Sequence, residues 1–305
     1  MILEGDAYDL AERLSAKSLD LIITSPPYWG LRTYGLPHRW DILSDWKKEG
    51  RAAGDIPTYA WYREHDGILG LEPLPEWYTH HLTEIMRRLR QALKPRGSVW
   101  INVGDTYFAR WSSIRDRGRQ GLGGHPRTRR RTPMGGYRQE KQLLLIPARF
   151  AILMQEDGWI LRNDLIWYKP NVPPRPEVDR LRLAHEHFFH FVLKPTEGRA
   201  KYYYDTAPLE PAGNDVVVCN AKAGQNGHSA TFPEPLVAPR ILSSCPPGGT
   251  VLDPFCGSGR ALLLALRSGR NAIGFDLVPE YVAAARHAAR PIGDLDWRLE
   301  PDGLF

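Results

Sequence analysis

Apolar positions along the chain fall into short blocks whose period changes repeatedly. Leu19, Leu21, Ile22 and Ile23 form a compact run that ends at Thr24 and is halted by Pro26 and Pro27. A run this short between breakers predicts a buried strand. Residues 29–78 show no sustained period and read as an irregular connection carrying nine Trp and Tyr residues. From Pro75 the spacing becomes helical, with Leu82, Ile85, Met86, Leu89 and Leu93 on one face. Lys94-Pro95-Arg96-Gly97 reads as a turn, and Ser98 to Val103 as a strand ending at Gly104-Asp105.

The same reading predicts a helix over 143–155, a strand over 159–169, a loop with four prolines over 170–176 and a strand over 187–194. Residues 205–235 read as mostly irregular. A short strand over 250–253, a loop and helix over 257–268, a strand over 271–276 and a helix over 279–290 close the pattern. Strands alternating with helices predict an α/β fold with a largely parallel sheet.

Composition narrows the class. A chain of 305 residues, 42% of them hydrophobic, has ample material for a core and does not read as disordered. Its start, Met1-Ile2-Leu3-Glu4-Gly5-Asp6, carries early acids and no secretory leader pattern, and no apolar run approaches the ~18 residues of a membrane span. Cys219, Cys245 and Cys256 lack metal-ligand spacing, and the ten histidines suggest no metal cluster. These features predict a reduced, cytoplasmic protein without a metal.

The net charge of +5 is modest, but its placement is not. Between Thr106 and Gln142 stand Arg110, Arg115, Arg117, Arg119, Arg127, Arg129, Arg130, Arg131, Arg138 and Lys141, against only Asp116 and Glu140. The basic excess of the whole chain lies in this stretch. Such a segment suits an anionic backbone.

Two loops carry candidate chemistry. Thr24-Ser25-Pro26-Pro27-Tyr28 ends the first predicted strand with free carbonyls, because proline cannot donate to a ladder. A planar base could lie on Tyr28 with its amino group held by Ser25 and the Pro26 carbonyl. Far downstream, Asp253-Pro254-Phe255-Cys256-Gly257-Ser258-Gly259 follows a strand and opens a helix, and Asp276 ends the next strand. Glycines at such a turn admit a ligand close to the backbone, and an acid roughly 20 residues on suits ribose hydroxyls. The loop lacks a dinucleotide or triphosphate fingerprint, so a phosphate-free nucleoside such as an adenosine-bearing methyl donor fits better.

Together these motifs resemble those of the S-adenosylmethionine-dependent amino-methyltransferases of DNA. With the catalytic motif first and the cofactor motif last, the order is similar to the permuted beta class. Glu4-Gly5-Asp6, Leu93 to Gly97, Leu161 to Asp164 with Trp167-Tyr168-Lys169-Pro170, and Ala230 to Pro233 agree with it. The resemblance implies a Rossmann-like sheet of seven strands, one antiparallel, in a single catalytic domain over 1–305. DNA-recognition segments are expected at about 29–78, 106–142 and 171–225, the middle one from its basic charge, because it is larger than the resemblance leads one to expect.

It further implies S-adenosyl-L-methionine as cofactor, held by Asp6, Thr24, Phe232, Pro233, Asp253, Pro254, Phe255, Gly257, Ser258, Gly259 and Asp276. Ser25, Pro26, Pro27 and Tyr28 would be catalytic. The basic residues from Arg110 to Arg131, with Lys169, would meet double-stranded DNA. Ser-Pro-Pro-Tyr is similar to the form used on cytosine N4, whereas adenine N6 usually takes an acid or Asn in place of Ser25. The resemblance also allows for a cognate restriction endonuclease and for homo-oligomers. Cytosine C5 chemistry needs a Pro-Cys nucleophile, and no cysteine here follows a proline.

Overall fold

A computed structural model describes residues 1–52, 54–115, 127–172, 178–209, 213–221 and 232–290. Its strands are β1 (Ile2–Glu4), β2 (Leu19–Thr24), β3 (Leu93–Val103), β4 (Trp111–Arg115), β5 (Arg127–Arg131), β6 (Trp159–Tyr168), β7 (His185–Leu193), β8 (Val216–Val218), β9 (Thr250–Asp253) and β10 (Asn271–Asp276). Its helices are α1 (Ala7–Leu10), α2 (Ile42–Lys48), α3 (Tyr59–Glu64), α4 (Pro75–Leu89), α5 (Ile146–Glu156), α6 (Glu234–Ser244), α7 (Arg260–Arg267) and α8 (Pro279–Ala289).

Among the described residues, eight strands form one sheet in the order β1-β10-β9-β2-β3-β7-β6-β8, and β4 pairs with β5 in a separate hairpin. Neighbours are parallel except at β7, which runs antiparallel to both β3 and β6. The expected seven strands are therefore eight, the extra one being the three-residue edge strand β8 inside a stretch that reads as irregular.

Alternation along each strand divides the core between the two sheet faces. Ile22 of β2 joins Val99 and Ile101 of β3 beneath α1, α4 and α5, and Leu19, on the far side of a register shift before Leu21, falls on that face too. Leu21 and Ile23 join Trp100 beneath α6, α7 and α8. Helix α4 starts with Pro75 at its first turn, where a missing N–H costs nothing, and buries Trp77, Tyr78, Leu82, Ile85, Met86 and Leu89.

Three local expectations are corrected. The turn at Lys94–Gly97 is absorbed into β3: Leu19 pairs with Leu93 and Leu21 already with Ser98, so the intervening residues bulge out of the ladder. The 29–78 connection contains α2 and α3, whose Trp46, Tyr59 and Tyr62 pack into the core. The basic segment supplies β4 and β5, a pairing that its polar sequence hides.

Candidate active site

Parallel strands place their carboxyl ends on one edge of the sheet. The ends of β1, β10, β9, β2, β3 and β6 meet there, and the antiparallel β7 begins there. From β9 the chain passes through α7 to β10 on one side, and from β2 through α4 to β3 on the other. The order thus reverses between β9 and β2, the position at which open α/β sheets form a ligand crevice. A hydrogen bond from Thr24 Oγ1 to Asp253 Oδ1, at 2.6 Å, closes this junction. It ties the end of the Ser25 strand to the glycine loop, 229 residues away in sequence.

On the β9–β10 side the loop is organised by its own backbone. Asp253 Oδ1 also accepts from the Phe255 N–H at 3.1 Å, and Asp276 accepts from Gly257 N–H at 2.7 Å and Val278 N–H at 2.9 Å. Burial raises the Asp253 carboxyl to about 7 and pushes Asp276 up as well. Gly257 and Gly259 have φ of 51° and 79°, a region L side chains rarely adopt, and a Cβ on Gly259 would stand 2.9 Å from Ala285 Cβ.

A cavity of about 110 Å³ lies against this loop, lined by Asp6, Tyr59, Pro254, Phe255, Gly257, Asp276 and neighbours including Pro27, Tyr34 and Tyr281. Asp6 caps α1 through the Tyr8 N–H at 2.8 Å, accepts from the Tyr59 hydroxyl at 2.9 Å and pairs with Arg63 at 3.3 Å. Burial raises its carboxyl. Carboxylates among aromatic rings suit a nucleoside's hydroxyls, amine and base, and nothing crowds the position of a Gly257 Cβ.

The second cavity, about 630 Å³, opens on the β2–β3–β7 side and shares Ser25, Tyr34, Phe255, Gly257 and Tyr281 with the first. Ser25, Pro26, Tyr28, Phe232, Asp253 and Ser258 all line it. The Tyr28 ring has room only because residue 104 is glycine, since a Cβ there would meet Tyr28 Cε2 at 2.8 Å. Gly70, at φ +90°, lies close beneath the Pro27 and Tyr28 carbonyls. Burial and then Glu186 push the Tyr28 phenol well above its ordinary range.

Pro233 and Gly259 line neither cavity: Pro233 caps α6 and Gly259 caps α7. Thr24 acts through Asp253. The expected DNA contacts separate into different environments. Arg110 and Arg131 are exposed on or beside the β4–β5 hairpin. Arg130 is instead buried at 6% exposure, its guanidinium 4.3 Å above the Trp29 ring and donating to the Glu72 carbonyl at 3.2 Å. Burial lowers it to about 10. Arg117 and Arg119 lie outside the described residues, and Arg115, Arg127 and Arg129 are described by backbone alone, in β4 and β5.

Lys169, expected to approach a phosphate, pairs with Glu186 in the wall of the larger cavity. Sequence reading missed Glu186, Asn102 and Gly104. Glu186 is the sole acid in an otherwise aromatic, apolar and His-rich strand, a signal that could have singled it out.

Comparisons with known proteins agree with this geometry. A family model described as "DNA methylase" matches residues 19–287. The type II methyltransferase M.Cfr9I of Citrobacter freundii is 34% identical over 93% of this chain and 85% of its own. M.SmaI of Serratia marcescens is 32% identical over 93% and 89%. Among solved structures, the cytosine-N4-specific PvuII DNA methyltransferase has a TM-score of 0.63 at 20% identity, covering 98% of this chain and 87% of that one. A putative DNA modification methylase from Thermus thermophilus, complexed with S-adenosyl-L-methionine, has a TM-score of 0.55 at 21% identity, covering 96% and 95%. The chain is a DNA methyltransferase and belongs to the DNA methylase family.

Proposed function

We propose that this enzyme transfers a methyl group from S-adenosyl-L-methionine to the N4 amine of a cytosine flipped out of double-stranded DNA. The observation that carries this reading is the Thr24–Asp253 bond, which holds Ser25 and the glycine loop against one cavity. Asp276, Asp6, Asp253, Phe255 and the Gly257 turn would hold the cofactor. When bound, it supplies an electrophilic methyl on a positively charged sulfur.

The protein's task is positioning. An exocyclic amine is a poor nucleophile because its lone pair is delocalised into the ring. Extruding the base costs a few kcal/mol. Stacking on Tyr28 recovers on the order of 1–3 kcal/mol, the range of base–aromatic contacts elsewhere. Ser25 Oγ and the Pro26 carbonyl accept the two amine hydrogens, drawing the nitrogen toward tetrahedral geometry and aiming its lone pair. Fixed acceptors at the reacting atom and a near-attack orientation supply the rate enhancement.

Ser25 in place of an acid favours cytosine over adenine. The chain reads as one catalytic domain in which 29–78, 106–142 and 171–225 contact the duplex, with the exposed Arg110 and Arg131 near its phosphates. The test is to incubate genomic DNA with the enzyme and methyl-labelled cofactor, then digest to nucleosides. Label in N4-methyldeoxycytidine supports the reading; label in N6-methyldeoxyadenosine overturns the base assignment.

A further inference from the structure

The larger cavity holds a carboxylate to which the mechanism above gives no task. Glu186, at the start of β7, accepts from the Tyr28 hydroxyl at 2.7 Å through Oε2. Ser25 Oγ donates to that same hydroxyl at 3.4 Å. Asn102 Nδ2 donates both to the Tyr28 hydroxyl and, at 2.5 Å, to Glu186 Oε2. Lys169 occupies the other carboxylate oxygen, Oε1.

These contacts fix a direction. A phenol has one proton to give and two lone pairs to receive with. Ser25 and Asn102 fill the receiving positions of Tyr28, so its proton points at Glu186. The chain Ser25–Tyr28–Glu186 is polarised from the proposed amine site towards a charged acceptor. Its longest link, between Ser25 and Tyr28, is of the kind that tightens when a substrate closes the site.

We propose that Ser25, Tyr28 and Glu186 form a proton relay that removes the proton released by the methylated amine, with Glu186 as its terminal acceptor. This rests on the reading that an amine is methylated beside Ser25. As the nitrogen lone pair forms the new bond to carbon, positive charge grows on the nitrogen and its two N–H protons become acidic. In that same transition state one N–H bond breaks, its electron pair returning to nitrogen and its proton passing to Ser25 Oγ. Ser25 gives its own hydroxyl proton to Tyr28, and Tyr28 gives its proton to Glu186 Oε2. Ser25 and Tyr28 end neutral, Glu186 ends as a carboxylic acid and the amine ends uncharged. A serine alone could not keep the proton.

Single-turnover methylation of a duplex substrate tests this on wild type, Glu186→Gln, Tyr28→Phe, the Glu186→Gln/Tyr28→Phe double variant and Glu186→Gln/Lys169→Met. Equilibrium binding of duplex and of cofactor is measured in parallel, which also shows that each variant is folded. Either single change slows turnover about 10²-fold, a typical loss for a proton-transfer group. The Glu186→Gln/Tyr28→Phe variant is no slower than its slower parent, because members of one chain do not add. Glu186→Gln/Lys169→Met stays slow, and binding is unchanged throughout.

Glu186→Gln at the wild-type rate overturns the relay. So do multiplicative losses in the Glu186→Gln/Tyr28→Phe variant, since two independent roles would then be at work. Recovery in the Lys169→Met background overturns it too, by assigning Glu186 to charge compensation alone. If wild type itself methylates no amine, the underlying reading fails and the relay with it, an outcome distinct from all of these.

Discussion

The two halves of the crevice are built in opposite ways. On the β9–β10 side, the loop itself is built locally: Asp253, the glycine turn and Asp276 lie within 24 residues and bond mostly to one another's backbone, with Asp6 and Tyr59 closing the cavity against it. On the β2–β3–β7 side, the cavity wall is assembled from distant segments. Tyr28 meets Asn102 across 74 residues and Glu186 across 158. A local loop can be exchanged or strengthened as a unit. A convergent wall fails as a whole when any one support moves.

The sharpest break should come from a support on the convergent side. Gly104→Ala places a methyl group against the Tyr28 ring. Misplacing a positioning group by about 1 Å can cost 10²-fold in rate, so turnover should fall towards that extent with cofactor affinity intact. Single-turnover kinetics beside calorimetric binding would show the split; a parallel loss of cofactor affinity would mean the halves are not separable. The converse change is Asp276→Ala, which removes the acceptor of two backbone N–H groups. Hydrogen bonds to charged groups contribute about 1.5–3 kcal/mol each, so cofactor affinity should drop at least tenfold.

Two adjacent arginines sharpen the contrast within one hairpin. Arg130→Met removes a guanidinium from above Trp29 and should lower unfolding stability by about 1–2 kcal/mol, leaving the salt dependence of DNA binding alone. Arg131→Ala should do the reverse, reducing the salt slope of DNA affinity by about one phosphate contact at unchanged stability. Chemical denaturation and salt titrations separate them.

The smallest effect is in pH. Asp253 has a folded value of about 7 against an ordinary 3.8, so between those values the folded state binds more protons than the unfolded one. Its contribution to the stability of the cofactor-free protein is therefore present at low pH and lost as pH rises through about 7. Asp253→Asn should flatten that part of the profile in thermal melts taken across the window.

The same division explains what was legible in the sequence. Apolar period located β2, β9 and β10, and the glycine loop could be found from a few consecutive residues. The carboxyl-edge position of Ser25 followed from the prolines behind it. The β4–β5 hairpin was hidden because Arg127–Arg131 carries no apolar residue and Trp111–Arg115 too few to show an alternation. The 94–97 turn was misread because a wide bulge and a true turn use the same Pro and Gly. Arg130 gave no sign of burial, since its partner Trp29 lies 101 residues earlier. Glu186 meets Tyr28 only because β7 lies antiparallel beside β3, a pairing that no local pattern encodes.

The claim that organises both halves is that Ser25 acts on the substrate amine and not on the cofactor. Ser25→Ala tests it most directly, with methyl-transfer rate and cofactor affinity measured on the same preparation. The rate should fall about 10²–10³-fold, the loss typical of a preorganised hydrogen-bonding group at the reacting centre, while cofactor affinity holds. Equal losses in rate and cofactor affinity would contradict the assignment.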